Sequence, residues 1–426
     1  MTVSRGEITG IRIDAEFALN NHGATLSQNS VKLGDITYLK AGWTPRRWQE
    51  KFWLNWNIPW VKSGELKDNL DIQDIEESIT QDWLKNSSAK LFDKWTLLIA
   101  MYGATAGEVG ILWREACTNQ AVCSIIPKGK NVINEYLFWS LLLLRKKIKQ
   151  DASGGAQPNI SKEYLDNLHI PLPPLEIQKE IIELMDRCIA EKQKLETEAD
   201  KMMASINDWL LGELGIERWD QEEKKVFSLN IQELNPDLRI DPSHYLKEKQ
   251  QPSNRYNMSN ISNIATVAKW QSLSSSDLGE GDIPVIAGGQ NSPYNHNISN
   301  YSGNVITVSA SGAYSGFVWY HEIPIFASDC NVIFSNDEKN ITTKFIACYL
   351  KSKQKFIYSL QKWAGQPHVY PNDLKEMQIP LPPHPEQERI VNHISDIIAR
   401  ARAMRKQATR VYEEARAEVE KIISEI

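Results

Sequence analysis

Several things are scarce in this 426-residue chain, and each scarcity removes a class of protein. The five cysteines, Cys117, Cys123, Cys188, Cys330 and Cys348, are an odd number without C-x-x-C spacing. That excludes a disulfide framework and a thiolate zinc site as the organising device. Long apolar runs are absent too: the most apolar stretch, Leu137 to Leu144, falls far short of the roughly 20 residues that span a bilayer. Met1 to Gly23 carries no apolar core of a secretory signal. These absences together point to a reducing cytoplasm and no membrane partner.

The sequence also lacks enzyme signatures. It has no Gly-x-x-x-x-Gly-Lys-Ser/Thr phosphate loop, no Gly-x-Gly-x-x-Gly opening a helix after a strand, no His-Glu-x-x-His and no Gly-x-Ser-x-Gly. Both Pro-Pro pairs follow Leu, so the Asn/Asp-Pro-Pro-aromatic signature of an amino-methyltransferase is missing. Asp337 and Lys339 resemble a fragment of a nuclease motif that nothing nearby completes. Nothing here predicts a catalytic residue, a resident cofactor or a bound metal. The formal net charge of -6 excludes an evenly basic nucleic-acid binder, although one basic face on an acidic protein suffices for phosphate contact.

What is present is a repeat. Ile170-Pro171-Leu172-Pro173-Pro174 returns 209 positions later as Ile379-Pro380-Leu381-Pro382-Pro383, and Gln178 and Ile181 return as Gln387 and Ile390. Repetition at a fixed offset outranks any local motif. Arg12-Ile13-Asp14 corresponds to Arg239-Ile240-Asp241, Ile58-Pro59-Trp60-Val61 to Ile283-Pro284-Val285-Ile286, Gly103-Ala104 and Gly107 to Gly312-Ala313 and Gly316, and Gln157-Pro158 to Gln366-Pro367. The first copy is 18 residues longer, mostly in an acidic stretch between Gly64 and Trp95 that reads as a loop or short helix.

Within each copy, β-rich runs (Thr96 to Met101 and Val122 to Ile126; Val305 to Ser309 and Val332 to Phe334) precede an apolar helix over Glu135 to Lys147 or Lys344 to Lys355. A second, short helix follows; Ser161 caps it in the first copy, and Pro371 takes its first position in the second. Each copy ends in a long charged helix with apolar residues every seventh position: Ile181, Cys188, Leu195 and Met202, then Ile390, Ile397, Met404 and Val411. A second seam, Ile394, Ala401, Ala408, Ala415 and Ile422, places small side chains where another helix can approach closely. Sustained heptads with charged flanks predict a coiled coil. The expected class is therefore α+β: two mixed α/β parts separated by two long helices that pair antiparallel, with pseudo-two-fold symmetry. The expected divisions are 1–174, 175–218, 219–383 and 384–426.

The remaining candidates look like binding surface. Gly42-Trp43-Thr44-Pro45-Arg46-Arg47-Trp48 joins a turn, two guanidiniums and aromatics, suited to phosphate contact or to a bidentate arginine on guanine; it also fits an ordinary surface turn with its tryptophans in the core. Gly288-Gly289-Gln290-Asn291 offers backbone approach and two amides for adenine, and is equally plain turn chemistry. Basic clusters recur after the apolar helices, at Arg145, Lys146, Lys147 and Lys149 and at Lys351, Lys353 and Lys355, where Lys and Arg also favour a helix C-terminus on electrostatic grounds. The loops Gly154-Gly155-Ala156-Gln157-Pro158 and Ala364-Gly365-Gln366-Pro367-His368 follow them.

In this order (Arg-Ile-Asp, Gly-x-Thr-Pro, Ile-Pro-x-x-x-x-Gly, a Gly-rich strand end, a Gln-Pro loop, Ile-Pro-Leu-Pro-Pro and a long helix, given twice) the chain resembles the specificity subunit of a type I DNA restriction-modification system over essentially its whole length. The second copy departs from the pattern, having Lys269-Trp270-Gln271-Ser272 where Gly-x-Thr-Pro is expected. The resemblance implies two target recognition domains, each reading half of a bipartite site in double-stranded DNA, with the helices as a ruler. It implies two methyltransferase subunits that use S-adenosylmethionine, and a restriction and translocation motor that uses ATP and Mg. Under it, Thr44, Arg46, Arg47, Lys62, Lys146, Lys147, Gln157, Gln290, Asn291, Lys351, Lys353, Gln366 and His368 become candidate DNA contacts. The residues alone leave open a DNA-binding protein independent of any methyltransferase, and a coiled-coil scaffold with two protein-binding heads.

Overall fold

The computed structural model describes residues 30–44, 58–152, 159–217, 252–274, 277–292, 294–363 and 366–425. Both Arg-Ile-Asp motifs lie outside them. The chain divides into two compact units, Met1–Leu195 with Lys406–Ile426, and Glu196–Arg405. Each unit holds one globular part together with stretches of both long helices.

Unit 1 opens with β1 (Ser30–Lys32), the single turn α1 (Leu33–Ile36), β2 (Thr37–Ala41), β3 (Ile58–Val61), β4 (Asn69–Ile72), β5 (Ser78–Ile79) and α2 (Gln81–Lys85). It continues through β6 (Leu97–Ala100), β7 (Val109–Leu112), β8 (Cys117–Thr118), β9 (Val122–Pro127), α3 (Asn134–Ala152), α4 (Lys162–Asn167) and β10 (His169–Pro171) to the long helix α5 (Leu175–Glu213). Unit 2 repeats the plan with β11 (Met258–Asn260), α6 (Ile261–Ile264), β12 (Ala265–Ala268), β13 (Ile283–Ile286), β14 (Asn295–His296), β15 (Val305–Ser309), β16 (Val318–His321), β17 (Phe326–Ala327) and β18 (Cys330–Ser335). Then come α7 (Thr343–Ser352), α8 (Gln354–Ser359), β19 (Lys362–Trp363), β20 (Pro367–His368), α9 (Pro371–Lys375), β21 (Gln378–Pro380) and the second long helix, α10 (His384–Ser424).

The sheets of the two units correspond, apart from β4 in unit 1 and the β19-β20 pair in unit 2. The main sheet of unit 1 runs β2-β9-β6-β7-β4, and that of unit 2 runs β12-β18-β15-β16. Each has a three-stranded companion, β5-β3-β8 or β14-β13-β17, and a two-stranded ribbon, β1-β10 or β11-β21. The inner strands β6, β7 and β15 are buried at every position because both faces are covered, whereas the edge strand β2 exposes Tyr38 and Lys40. Side chains alternate along β6, so Leu97 and Ile99 pack with Tyr136, Leu137 and Leu141 of α3, while Leu98 and Ala100 join Val61 and Leu112 on the other face. The acidic stretch of unit 1 is more than a loop or helix: it contributes α2, and its β4 adds a fifth strand parallel to β7.

The repeated glutamine has a structural reason. Gln178 is fully buried; its Oε1 accepts from Ile133 N at 3.0 Å, and its Nε2 donates to Asn131 O at 2.9 Å and to Pro173 O at 2.8 Å. Gln387 does the same with Thr342 N at 2.9 Å, Asn340 O at 2.8 Å and Pro382 O at 2.9 Å. One amide therefore satisfies the N-terminus of the apolar helix, the turn before it and the proline entry to the long helix. No other uncharged side chain of that length supplies one acceptor and two donors.

The long helices pair antiparallel inside each unit. In unit 1, Cys188 donates its thiol to Val411 O at 3.5 Å, and Ala415 and Val419 enter the core beside Ile181 and Met185. In unit 2, Asp200 pairs with Arg405 at 2.6 Å, the Trp209 and His393 rings lie 4.0 Å apart, and Glu213 pairs with Arg389. Residue numbers rise on one helix as they fall on the other. Ile181, Cys188, Ile390 and Ile397 are buried; Leu195, Met202, Met404 and Val411 are half-buried. The alanine seam is closed more tightly, with Ala401 and Ala408 at 1% and 0% exposure.

One expected element differs. The helix anticipated over Lys344 to Lys355 breaks at Lys353 into α7 and α8. The break lets Gln354 turn its side chain onto Gly316 O at 2.7 Å and Val318 N at 2.9 Å. In the unbroken α3, Arg145 reaches the equivalent Gly107 O at 3.3 Å with a longer side chain.

Candidate nucleic-acid interface

In each unit the motif-bearing loops emerge where main-sheet and companion-sheet strands end, and backbone hydrogen bonds tie them together. In unit 1, Trp43 N donates to Thr118 O at 3.0 Å, Asn119 N to Val61 O at 2.9 Å, and Gln120 N to Thr44 Oγ1 at 3.4 Å. Met101 N donates to Ala121 O at 2.7 Å and Ile160 N to Met101 O at 2.8 Å, bringing the residues after the Gln-Pro segment beside the Gly103 turn. Unit 2 has matching bonds, from Gln271 N to Ala327 O at 3.2 Å, Ser328 N to Ile286 O at 2.7 Å, Ala310 N to Asp329 O at 3.0 Å and Val369 N to Ala310 O at 3.0 Å. Lys269-Trp270-Gln271-Ser272 thus occupies the place of the Gly-x-Thr-Pro loop although it lacks the sequence.

Three glycine positions show why the motif needs glycine. A Cβ on Gly42 would sit 2.2 Å from Asn119 O and Thr118 Oγ1. Gly103 and Gly312 have φ of +74° and +82° with open space around them, so the requirement there is conformational. Exposed aromatics ring these turns: Trp43 and Tyr102 in unit 1, Tyr314 and Tyr370 in unit 2.

Cations neighbour the same strand ends, because Arg145 of α3 and Gln354, just after α7, hydrogen-bond Gly107 O and Gly316 O. Lys146 is exposed and Lys147 half-buried; Lys351 is exposed, its Nζ 5.9 Å from the Phe317 ring. Arg145 is occupied otherwise. Besides Gly107 O it grips Asp68 with both terminal nitrogens, joining α3 to the segment before β4.

The other candidates are distributed as follows. Thr44 is half-buried and takes the Gln120 amide; Gln290 and Asn291 are exposed in the loop after β13; Gln366 is exposed, and half-buried His368 bridges Ser311 while stacking with Tyr370 at 6.0 Å. Lys62 is engaged by Glu76 at 2.6 Å and Glu77 at 3.3 Å; the Glu76 bond, followed by the Glu77 interactions, raises its pKa above the ordinary lysine value. Lys353 is buried at the break between α7 and α8, 5% exposed. Arg46, Arg47 and Gln157 lie outside the described residues. The turns Asn119-Gln120-Ala121 and Ser328-Asp329 carry none of the glycine, proline or charge clustering that marks the other loops in the sequence, and unit 1 has one residue more there.

Among the described residues, no helix is long and apolar enough to cross a membrane, and no group of three or more His, Cys, Asp or Glu could hold a metal ion. Burial pushes the thiols of Cys117, Cys123 and Cys330 up to about 12, which keeps them protonated and inert.

Comparison with known proteins gives one answer. The family described as the type I restriction modification DNA specificity domain matches residues 28–201 and 254–411. The chain is 27% identical over 209 residues to the type I restriction enzyme MjaIX specificity subunit of Methanocaldococcus jannaschii, over 47% of this chain and 48% of that protein, so it spans about half the length of that relative. It is 20% identical over 380 residues to the EcoKI specificity subunit of Escherichia coli K12, over 82% of this chain and 77% of that one. The crystal structure of the S subunit of a type I restriction-modification system from M. genitalium has the same fold, with a TM-score of 0.51 at 16% identity over 94% of this chain and 96% of that one. The family match falls once on each repeat, running from the first strand into the long helix, and the chain belongs to the type I restriction-modification DNA specificity family.

Proposed function

We propose that this chain is a non-catalytic specificity subunit that binds double-stranded DNA and directs the chemistry of partner subunits. Each globular part reads one half of an interrupted, asymmetric site, and α5 and α10 set the gap between the halves. The observation that carries this reading is the doubling of one scaffold whose strand-end loops are held by matching hydrogen bonds but carry different side chains. Two unlike readers on one framework suit a bipartite, asymmetric target. Phosphate contacts fix register and base contacts fix sequence. Lys146, Lys147 and Lys351 serve the first role; Thr44, Gln290, Asn291, Gln366 and His368 serve the second. Arg46, Arg47 and Gln157 are assigned on sequence alone. Lys62 reaches DNA only by leaving Glu76 and Glu77, and Lys353 acts through the break it occupies.

The partners on this reading are two adenine methyltransferase subunits with S-adenosylmethionine and a restriction motor with ATP and Mg, acting in the cytoplasm. The test is methylome sequencing of a host carrying this gene and its neighbouring methylase, beside a host lacking this gene alone. A bipartite N6-methyladenine motif that disappears on deletion is the expected result. An identical methylation pattern in both hosts, with the methylase expressed, refutes it and favours a protein-binding scaffold.

A further inference from the structure

Resting on that reading, we infer that the short turn joining the companion sheet to the main sheet is the main base-reading element of each unit, with Gln120 as the reader in unit 1 and Asp329 in unit 2. At this turn the two frameworks make matching bonds on both sides but differ in length and side chain. Upstream, Asn119 N and Ser328 N bond Val61 O and Ile286 O; downstream, Ala121 O and Asp329 O accept from Met101 N and Ala310 N. Between these fixed points unit 1 inserts one residue, Gln120, with an exposed amide; unit 2 has no intervening residue, and the carboxylate belongs to the downstream residue itself, half-buried Asp329, with φ of +48°.

The Asp329 carboxylate is held by polar contact. Its Oδ2 accepts from Ser311 Oγ on the glycine turn, and Gly288 covers it so closely that a Cβ there would lie 3.1 Å from that oxygen. The loop carrying Gln290 and Asn291 continues from Gly288, so the carboxylate sits among three of the candidate reading loops. A carboxylate has acceptor capacity beyond a single hydrogen bond. Among DNA edges it is repelled by phosphates and attracted only by donors, and the major groove offers exocyclic amines, on cytosine N4 or adenine N6. Gln120 has one donor and one acceptor group, the pattern that pairs with the N6/N7 edge of adenine. Each residue thus assigns a base class to its own half-site: an amino-bearing base for unit 2, adenine for unit 1.

The experiment measures base preference with the full chain assembled with its methylase, once the wild-type motif is known. Duplexes carrying each of the four bases at every specified position are compared for methylation and for competition binding. Asn tolerates positive φ, so Asp329→Asn preserves the turn while changing its hydrogen-bonding pattern. The expected outcome is that preference at one cytosine or adenine of one half-site falls on the order of tenfold, with the other half-site unchanged. Gln120→Glu should act likewise on one adenine of the opposite half-site. If Asp329→Asn abolishes all binding, Ser311→Ala, which keeps the carboxylate and removes its anchor, is scored for the same single-position loss. Unchanged preference at every position, or losses spread over several positions or over both half-sites, overturns the assignment. A wild-type assembly that shows no bipartite motif refutes instead the function on which it rests.

Discussion

Replacing Gln178 by Leu should unlock unit 1 at the joint where α3 meets the entry to α5. The substitution removes three hydrogen bonds at 2.8 to 3.0 Å and leaves the amide of Ile133 and the carbonyls of Asn131 and Pro173 without that partner. Net hydrogen bonds contribute about 1 kcal/mol each, and stranding buried partners raises the cost, so the loss should be about 3 to 5 kcal/mol. For a unit of this size that corresponds to a fall in melting temperature of roughly 6 to 20 °C. Two compact units make a single two-state fit unsafe, so amide hydrogen exchange is the better assay. Protection should drop at Ile133 and through α3 while unit 2 keeps its own. Gln387→Leu should mirror this at Thr342 and α7, and because the two glutamines share no partner their effects should add. A loss below about 1 kcal/mol, or one spread evenly over both units, would refute the idea that this amide couples each helix entry to its domain.

Acidification should weaken unit 2 through His321, whose Nε2 lies 2.8 Å from Thr307 Oγ1 and whose pKa burial lowers to about 4. The unfolded chain protonates this ring from about pH 6.5 and the folded one only near 4, so stability falls across that window by up to about 3 kcal/mol. Thr307→Leu with His321→Leu copies Leu98 and Leu112 of unit 1 and should flatten that part of a denaturation–pH profile. Gly42→Ala should distort the Thr118–Asn119 backbone and, by exchange at Trp43 and Gln120, loosen those loops while β6 stays protected. Inserting one heptad at facing positions of α5 and α10 adds about 10 Å of helix, and methylome sequencing should find the spacer lengthened by about three base pairs with both half-sites intact; an unchanged spacer would remove the ruler role.

The repeat, the fold class and the helix pairing were legible in the order of residues alone, because these rest on spacing. Ile-Pro-Leu-Pro-Pro with a following glutamine, sevenfold apolar steps and turn glycines are local or periodic signals, and each places backbone in a way few residues can. The sequence also marked Ser161 as a cap, and the hydroxyl accepts from Tyr164 N at 2.9 Å. Tertiary structure alone decided which polar side chains are at liberty to act. Arg145 and Lys146 are neighbours in one basic run, yet Asp68, 77 residues away, engages the first while the second stays exposed. Lys353 reads like Lys351 but is buried where the helix breaks, and that break answers to Gly316 and Val318 from another strand pair. Asp329 carries no local signal: its place follows from Ser311, Gly288 and Ala310, which only the folded sheet brings together. Periodicity survives in one dimension, whereas the partner of a charge is chosen by contacts between distant residues.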